Sequence, residues 1–166
     1  MFWFCSAITS LTCQTRSTRV AFVDASKLQV YHNLRILRYK VFKGTVKRGK
    51  GTIGWFYGFK LHLIINHQGG IISVTVTTVN VDDIKSVSEM VDEIWGCLYG
   101  EKGYISGSLK RELADKGVTL ITGVKKNMKP KVMKLWNRLI LRQRFIIETV
   151  FNQLKKHILN LAFSVP

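Results

Sequence analysis

Hydrophobic and polar positions divide the chain into segments with strand or helix periodicity. The apolar run 19–23 predicts a buried strand that ends at Asp24. Alternating residues in 55–66 and again in 70–79, many of them aromatic or β-branched, predict two antiparallel strands. The connection at 67–70 contains two glycines, so the pair is predicted to form a β-hairpin.

The following segment alternates helix and strand signals. The predicted elements are a helix from Asp82 to about Gly96 capped by Asn80 or Asp82, a strand at 97–100, a helix at 108–116 that Ser106 starts and Gly117 ends, and a strand at 118–124. Helix capping explains the adjacent acids Asp82 and Asp83 more simply than a metal site does. This order of elements predicts an α/β fold with a mixed sheet flanked by helices.

The clearest helical pattern lies near the end of the chain. Segment 141–156 contains neither Pro nor Gly, and it predicts one continuous helix. Its apolar stripe consists of Ile140, Ile147, Phe151, Leu154 and Ile158. Arg144, Glu148 and Lys155 share a neighbouring face, because they are four and seven residues apart. Taken alone, this trio is typical of a salt-bridged helix edge.

The charge of the chain indicates a polyanionic partner. Its 166 residues suffice for one domain with a core, and the formal net charge is +16. The basic residues cluster in loops and at element ends rather than along one amphipathic helix. This distribution favours nucleic acid over an acidic membrane surface, so no membrane partner is expected.

Segment 26–55 is polar, basic and dotted with glycine, and it is predicted to be a long loop that is either functional or disordered. Lys43, Lys47, Arg48 and Lys50 are candidate phosphate contacts, while the simpler interpretation is solvated charge. The three cysteines have no paired spacing, which favours free thiols in a reducing cytoplasm. Residues 1–19 read as a leader without the features of a signal peptide.

Two acids upstream change the interpretation of Glu148. Asp24 and Glu101 each follow a predicted strand, where a metal ligand would lie. Three carboxylates on a basic protein suit two-metal phosphoryl transfer, in which two cations stabilise the attacking and leaving oxygens. Mg²⁺ prefers such hard oxygen ligands, and Mn²⁺ is the expected substitute.

The chain resembles the DDE transposases of bacterial insertion sequences from about Phe22 to Lys156. The matching stretches are 22–26, 41–44, 54–62, 80–83, 100–106 and 144–155. The resemblance implies an RNase H-like catalytic domain at 20–158, with Asp24 as the first catalytic carboxylate and Glu148 as the last. It places Arg144 and Lys155 in the signature around the final Glu, where they contact DNA or orient the carboxylate, and it adds Lys60 to the candidate DNA contacts.

The resemblance also implies a reaction and partners. The expected reaction is DNA transposition: Mg²⁺-dependent hydrolysis of a DNA phosphodiester at the element end, then attack by the freed 3′-hydroxyl on target DNA. A homodimer and a cytoplasmic location near the nucleoid are expected with it.

One position departs from the family pattern. The family has Asp in a Gly-Asp-Lys-Gly-Tyr context where this chain has Glu101, and the added methylene is expected to weaken catalysis. Together with the leader and the apolar tail 159–166, this residue favours a truncated copy. The alternatives are a non-catalytic DNA-binding remnant and a resolvase or ribonuclease of the same fold.

Overall fold

The computed structural model describes residues 15, 18–31, 46–51, 54–92, 94–128 and 132–164. The strands are β1 (Val20–Tyr31), β2 (Lys47–Gly51), β3 (Gly54–Asn66), β4 (Ile71–Thr78), β5 (Gly96–Gly100) and β6 (Val118–Thr122). The helices are α1 (Asp83–Met90), α2 (Gly107–Asp115), α3 (Leu135–Arg142) and α4 (Phe145–Ser164), with a 3₁₀ turn at Lys102–Tyr104. Among these helices, none combines the length and the apolar character that crossing a bilayer requires.

Strand β1 lies at the centre of one mixed sheet. It pairs antiparallel with β3 on one side and parallel with β5 on the other. The sheet continues from β3 to β2 and β4, both antiparallel, and from β5 to β6, parallel. The sheet with its flanking helices confirms the predicted α/β fold with a mixed sheet.

Two apolar clusters cover the two faces of the sheet, because side chains alternate along β1. Val23 points toward α1 and α2, where it joins a cluster with Val87 and Leu109. Phe22 points the other way, into a cluster with Ile147 and Phe151. The helix that carries Glu148 is therefore fixed against the face to which even-numbered residues of β1 point.

The hairpin and the starts of the two central helices agree closely with the predicted pattern. Asp82 caps α1 by accepting a hydrogen bond from the Ile84 N–H, and Ser106 caps α2 in the same way. Gly117 follows α2 with a φ of 77°, a conformation that favours glycine. The predicted end of α1 near Gly96 is wrong. The helix stops at Met90 because the chain turns there, and that turn still buries Val91 and Ile94.

The segment after Asp24 is not a loop throughout, and this corrects two predictions. β1 continues past Asp24 to Tyr31, pairing with β3 along this length, so Asp24 lies inside a strand. β2 pairs with the first residues of β3. The polar residues of β1 are mixed with apolar ones, and the backbone of both is held by β3, so polarity alone misled the prediction. Residues 32–45 lie outside the described residues.

The predicted continuous helix is two helices, and this is a further correction. α3 ends at Arg142 and α4 begins at Phe145, with a tight turn in which Gln143 N–H donates to the Ile140 carbonyl at 2.9 Å. The apolar stripe still packs as predicted, since Ile140 and Ile147 are both buried. No Pro or Gly marks the break, so the sequence pattern contained no signal for it.

Candidate active site

The parallel pairing of β1 with β5 brings Asp24 and Glu101 together. The ladder ends with Val23 opposite Gly100, so the next residue of each strand is a carboxylic acid. Asp24 points to the same face as its antiparallel partner Leu63, which belongs to the cluster under α4. Glu101 follows directly on β5 and therefore lies beside Asp24 where the two strands part.

Helix α4 supplies the third acid. Burial of Ile147 and Phe151 anchors the first turns of α4 against the sheet, and Glu148 lies between them on the exposed side. Arg144, in the turn before α4, forms an ion pair with Glu101. Its Nη2 atom lies 3.9 Å from Glu148 Oε1. One guanidinium thus connects the strand acid with the helix acid.

Asp24 is the most perturbed carboxylate of the site. The pKa of Asp24 is raised from 3.8 to about 6 in total, and burial is the largest cause. The Ala25 N–H, which donates to Asp24 Oδ1 at 2.8 Å, opposes that rise. The charges of Glu101 and Glu148 also raise the pKa, and Arg144 lowers it. The three predicted acids are therefore close enough to sense each other electrostatically.

Lys155 borders Asp24 from the helix side. Its ammonium donates to Ser26 Oγ at 2.6 Å, two residues along the strand from Asp24. Burial lowers the pKa of Lys155, while the charge of Asp24 raises it. The predicted pair Arg144 and Lys155 thus brackets the carboxylates from both ends of the first three turns of α4. Sequence reasoning did not single out Ser26, although its period-two spacing from Asp24 was a usable signal.

Tyr104 is a second residue that sequence reasoning did not single out. Its side chain is 3 % exposed, and its hydroxyl has no hydrogen-bond partner among the described residues. Burial raises its pKa, and the charges of Asp24, Asp83 and Glu101 add to that rise. The sequence did contain a signal for Tyr104, because it lies in 100–106, one of the stretches that resemble the DDE transposases.

Lys60 lies in a different polar cluster. Its ammonium donates to Asp83 Oδ1 at 3.0 Å and to the Val81 carbonyl at 2.9 Å. Asp83 also lies 4.0 Å from the buried His62, whose pKa is lowered by that burial. Lys60 and His62 therefore both lie beside Asp83, in the first turn of α1. Lys60 supports that turn rather than presenting a free charge, which is a structural role that the sequence did not indicate.

The other predicted DNA contacts are placed only in part. Lys47 and Arg48 are exposed on β2, and the Arg48 guanidinium lies 4.8 Å from the centre of the Trp55 ring. A cation–π contact of this kind favours keeping the guanidinium beside the ring. Lys43 and the side chain of Lys50 lie outside the described residues.

The donor chemistry of the site fits a divalent cation, but the carboxylates are not arranged around one. Carboxylate oxygens are the ligands that Mg²⁺ and Mn²⁺ prefer, and at Asp24 burial and the two neighbouring acids outweigh the opposing effects of Arg144 and the Ala25 N–H on the pKa. In the part of the chain that the structure describes, no three potential ligands come within binding range of one point. The guanidinium of Arg144 lies between Glu101 and Glu148 and provides positive charge there.

The backbone leading to Glu101 tolerates little change. A Cβ at Gly100 would lie 3.2 Å from Tyr104 Cδ2 and 3.2 Å from Val23 Cγ1, whereas one at Gly103 would meet nothing within 4 Å. We expect Gly100→Ala to destabilise the protein by about 1–3 kcal/mol through overpacking. Thermal unfolding measures this effect, and Gly103→Ala is the matched control. Equal unfolding temperatures for the two variants would contradict the tight packing of Tyr104 on β5.

Comparison with known proteins adds one family and two structures. The family described as "Transposase DDE domain" matches residues 14–161. A chain from a piggyBac transposase synaptic complex with hairpin DNA has 13 % sequence identity with this chain. The match has a TM-score of 0.48 and covers 68 % of this chain and 24 % of that one. A chain from a simian T-cell lymphotropic virus intasome in complex with PP2A regulatory subunit B56 gamma has 10 % sequence identity with this chain. The match has a TM-score of 0.41 and covers 87 % of this chain and 45 % of that one. The chain thus spans less than half of either protein. No curated protein matches it.

Proposed function

Because the chain belongs to the transposase DDE domain family, which its residues 14–161 match, we propose that it catalyses DNA transposition. The proposed reaction is hydrolysis of a DNA phosphodiester at the end of a mobile element, followed by transfer of the freed 3′-hydroxyl to target DNA. The proposed element is a bacterial insertion sequence. The proposed location follows from it: the cytoplasm, at the nucleoid.

One observation carries the proposal: two acids from distant parts of the chain, Glu101 and Glu148, come within electrostatic range of Asp24. Glu101 reaches it through the parallel β1–β5 register, and Glu148 through the packing of α4. Both acids contribute to the raised pKa of Asp24. A structural ion pair needs two partners, and here one guanidinium faces two acids while a third, Asp24, lies within electrostatic range, which suits a site that awaits more positive charge.

Asp24, Glu101 and Glu148 are the residues that would hold the divalent cations, Mg²⁺ or Mn²⁺. Bound there, the cations would supply positive charge to the attacking and leaving oxygens of the phosphate. Arg144 has to release Glu101 for this carboxylate to become a ligand, and the guanidinium is then free to contact a DNA phosphate. Lys155, held by Ser26, keeps a positive charge beside Asp24.

The proposed substrate is DNA, and the charge of the chain supports it. A net charge of +16 gives non-specific attraction to a phosphate backbone. Lys47 and Arg48 on β2 present exposed cations, and we propose that they contact DNA together with Lys43 and Lys50. A homodimer acting on paired DNA ends is part of the same proposal.

A specific observation also favours a second candidate, the non-catalytic DNA-binding remnant. Glu101 stands where the family has Asp, and its longer side chain forms the ion pair with Arg144. A carboxylate held in this way is less available to a cation. In this candidate the fold and the charge persist, and the chain binds DNA with strong salt dependence but does not cut it.

Nicking of supercoiled plasmid with Mg²⁺ or Mn²⁺ tests the proposed function. The native chain should nick, and Glu148→Gln should not, because the amide removes one negative ligand. Glu89→Gln, which changes an exposed helical acid on α1, is the matched control. Binding without nicking by all three proteins would establish the remnant instead, and equal nicking by all three would overturn the assigned site.

A further inference from the structure

The surface around α3 contains most of the exposed apolar side chains. In the described part of the chain, eight large hydrophobic residues are exposed, and six of them lie between Met128 and Phe145. These six are Met128, Val132, Leu135, Trp136, Leu139 and Phe145. Single exposed hydrophobic residues are ordinary, but a local concentration marks an interaction surface.

Three of these residues form one face of α3, which we call the α3 face: Leu135, Trp136 and Leu139. They are three and four residues apart, so they are neighbours on the helix surface. Their exposed fractions are 70 %, 68 % and 44 %. The opposite side of the helix is occupied, since Leu141 packs against the core cluster in which the neighbouring Ile140 is buried. The α3 face therefore adds nothing to the core.

The charge around the α3 face has one sign. Arg138 and Arg142 are exposed one turn away from Leu135 and Leu139 on the same helix, and Lys134 precedes it. The sequence contains no Asp or Glu from Lys116 to Ile147. A partner for this surface must offer negative charge together with apolar area.

We propose that the α3 face binds an unpaired stretch of DNA strand, with bases stacked on Trp136 and phosphates bound by Arg138 and Arg142. An unpaired strand carries both features that the surface demands, because every nucleotide has a phosphate and an aromatic base. A duplex offers phosphates but keeps the faces of its bases stacked inside, so it would leave Leu135 and Trp136 in water. A second copy of the chain carries the same charge of +16, and it would place like charges against each other.

The α3 face is connected to the carboxylates. Tyr99, in β5, donates a hydrogen bond to Asn137 Oδ1 at 3.0 Å, which ties α3 to the strand that leads to Glu101. The turn after α3 contains Arg144, the ion-pair partner of Glu101. This inference deepens the proposed function and rests on it: strands that have separated next to the cut would lie on the α3 face.

Binding of a labelled oligonucleotide, single-stranded or duplex, tests the proposal. Trp136→Ala should weaken single-strand binding roughly tenfold, the effect of losing one base–aromatic stack, and duplex binding by less than about twofold. Trp95→Ala is the matched control, because Trp95 is 53 % exposed and lies outside the α3 face. Thermal unfolding of each variant shows that the fold is retained, and Trp136→Phe should restore most of the single-strand affinity.

The outcomes separate this proposal from the proposed function. Unchanged single-strand binding by Trp136→Ala, or an equal loss with Trp95→Ala, would overturn the α3 face as a strand-binding surface. Self-association of the native chain that Trp136→Ala abolishes, seen by sedimentation, would overturn it in favour of a second copy. Selective loss of single-strand binding supports the α3 face even where the plasmid assay shows no nicking, and in that case only the proposed reaction fails.

Discussion

Asp24→Asn should abolish nicking and, in the absence of divalent cations, raise the unfolding temperature of the protein at pH 7.5. The asparagine keeps an oxygen for the Ala25 N–H, so the local hydrogen bond survives. It removes a charge that is partly buried and that lies close to Glu101 and Glu148. A residue whose removal stabilises the fold while it eliminates activity is typical of a functional site.

The sign of the effect follows from the raised pKa. At a pH between 3.8 and about 6, Asp24 is mostly protonated in the folded protein and mostly ionised in the unfolded chain. The stabilisation from this group is fully present below pH 3.8 and is lost as the pH rises through about 6. A shift of this size corresponds to roughly 2–3 kcal/mol, and we expect a gain of about 5–10 °C for the asparagine variant.

Thermal unfolding at pH 5 and at pH 7.5, with and without Mn²⁺, measures this prediction. The gain should be smaller at pH 5, and Mn²⁺ should stabilise the native chain but not Asp24→Asn. Asp92→Asn, at an exposed acid paired with Lys116, is the control. A lower unfolding temperature for Asp24→Asn at pH 7.5 would show that its charge is compensated in the fold.

Glu101→Asp should increase the rate of nicking about a hundredfold, the scale of a one-ångström correction in a reactive geometry. The shorter side chain pulls the carboxylate back from Arg144, so one competitor for the carboxylate is removed. It also restores the residue that the DDE transposases have at this position. Single-turnover nicking in Mn²⁺ measures the change.

The control for this substitution is Glu112→Asp, which shortens an acid on α2 that accepts a hydrogen bond from the Ser88 hydroxyl. It should leave the nicking rate unchanged. If Glu101→Asp binds DNA as well as the native chain but nicks no faster, the length of this side chain does not limit the reaction. The ion pair with Arg144 would then be part of the working site rather than a restraint on it.

The local elements were predictable because their signals lie in neighbouring residues. The turn at 67–70, the Asp82 cap and the glycine after α2 each depend on a few adjacent positions, and each is found in the structure. The length of β1 was not predictable, because its polar half is stabilised by pairing with β3. The break after α3 was hidden for a similar reason. The turn contains no helix-breaking residue, and its Arg144 pairs with Glu101, which is distant in sequence.

The candidate site was predictable as a set of residue types but not as an arrangement. Acids after predicted strands and on a helix face indicated Asp24, Glu101 and Glu148. The ion pair from Arg144 to Glu101 depends on where α4 docks, and periodicity contains no information about docking. The buried hydroxyl of Tyr104 and the link from Lys155 to Ser26 are likewise products of packing.

The distance in sequence between the parts of this site has a consequence for the protein as it is synthesised. Lys155 and Ser26 are 129 residues apart, and β1 leaves the ribosome long before α4 does. Until α4 is made and docked, Asp24 has neither Lys155 nor Glu148 beside it, although the basic residues of β2 are already exposed. If the proposed function holds, a nascent chain would bind DNA before it could cut it.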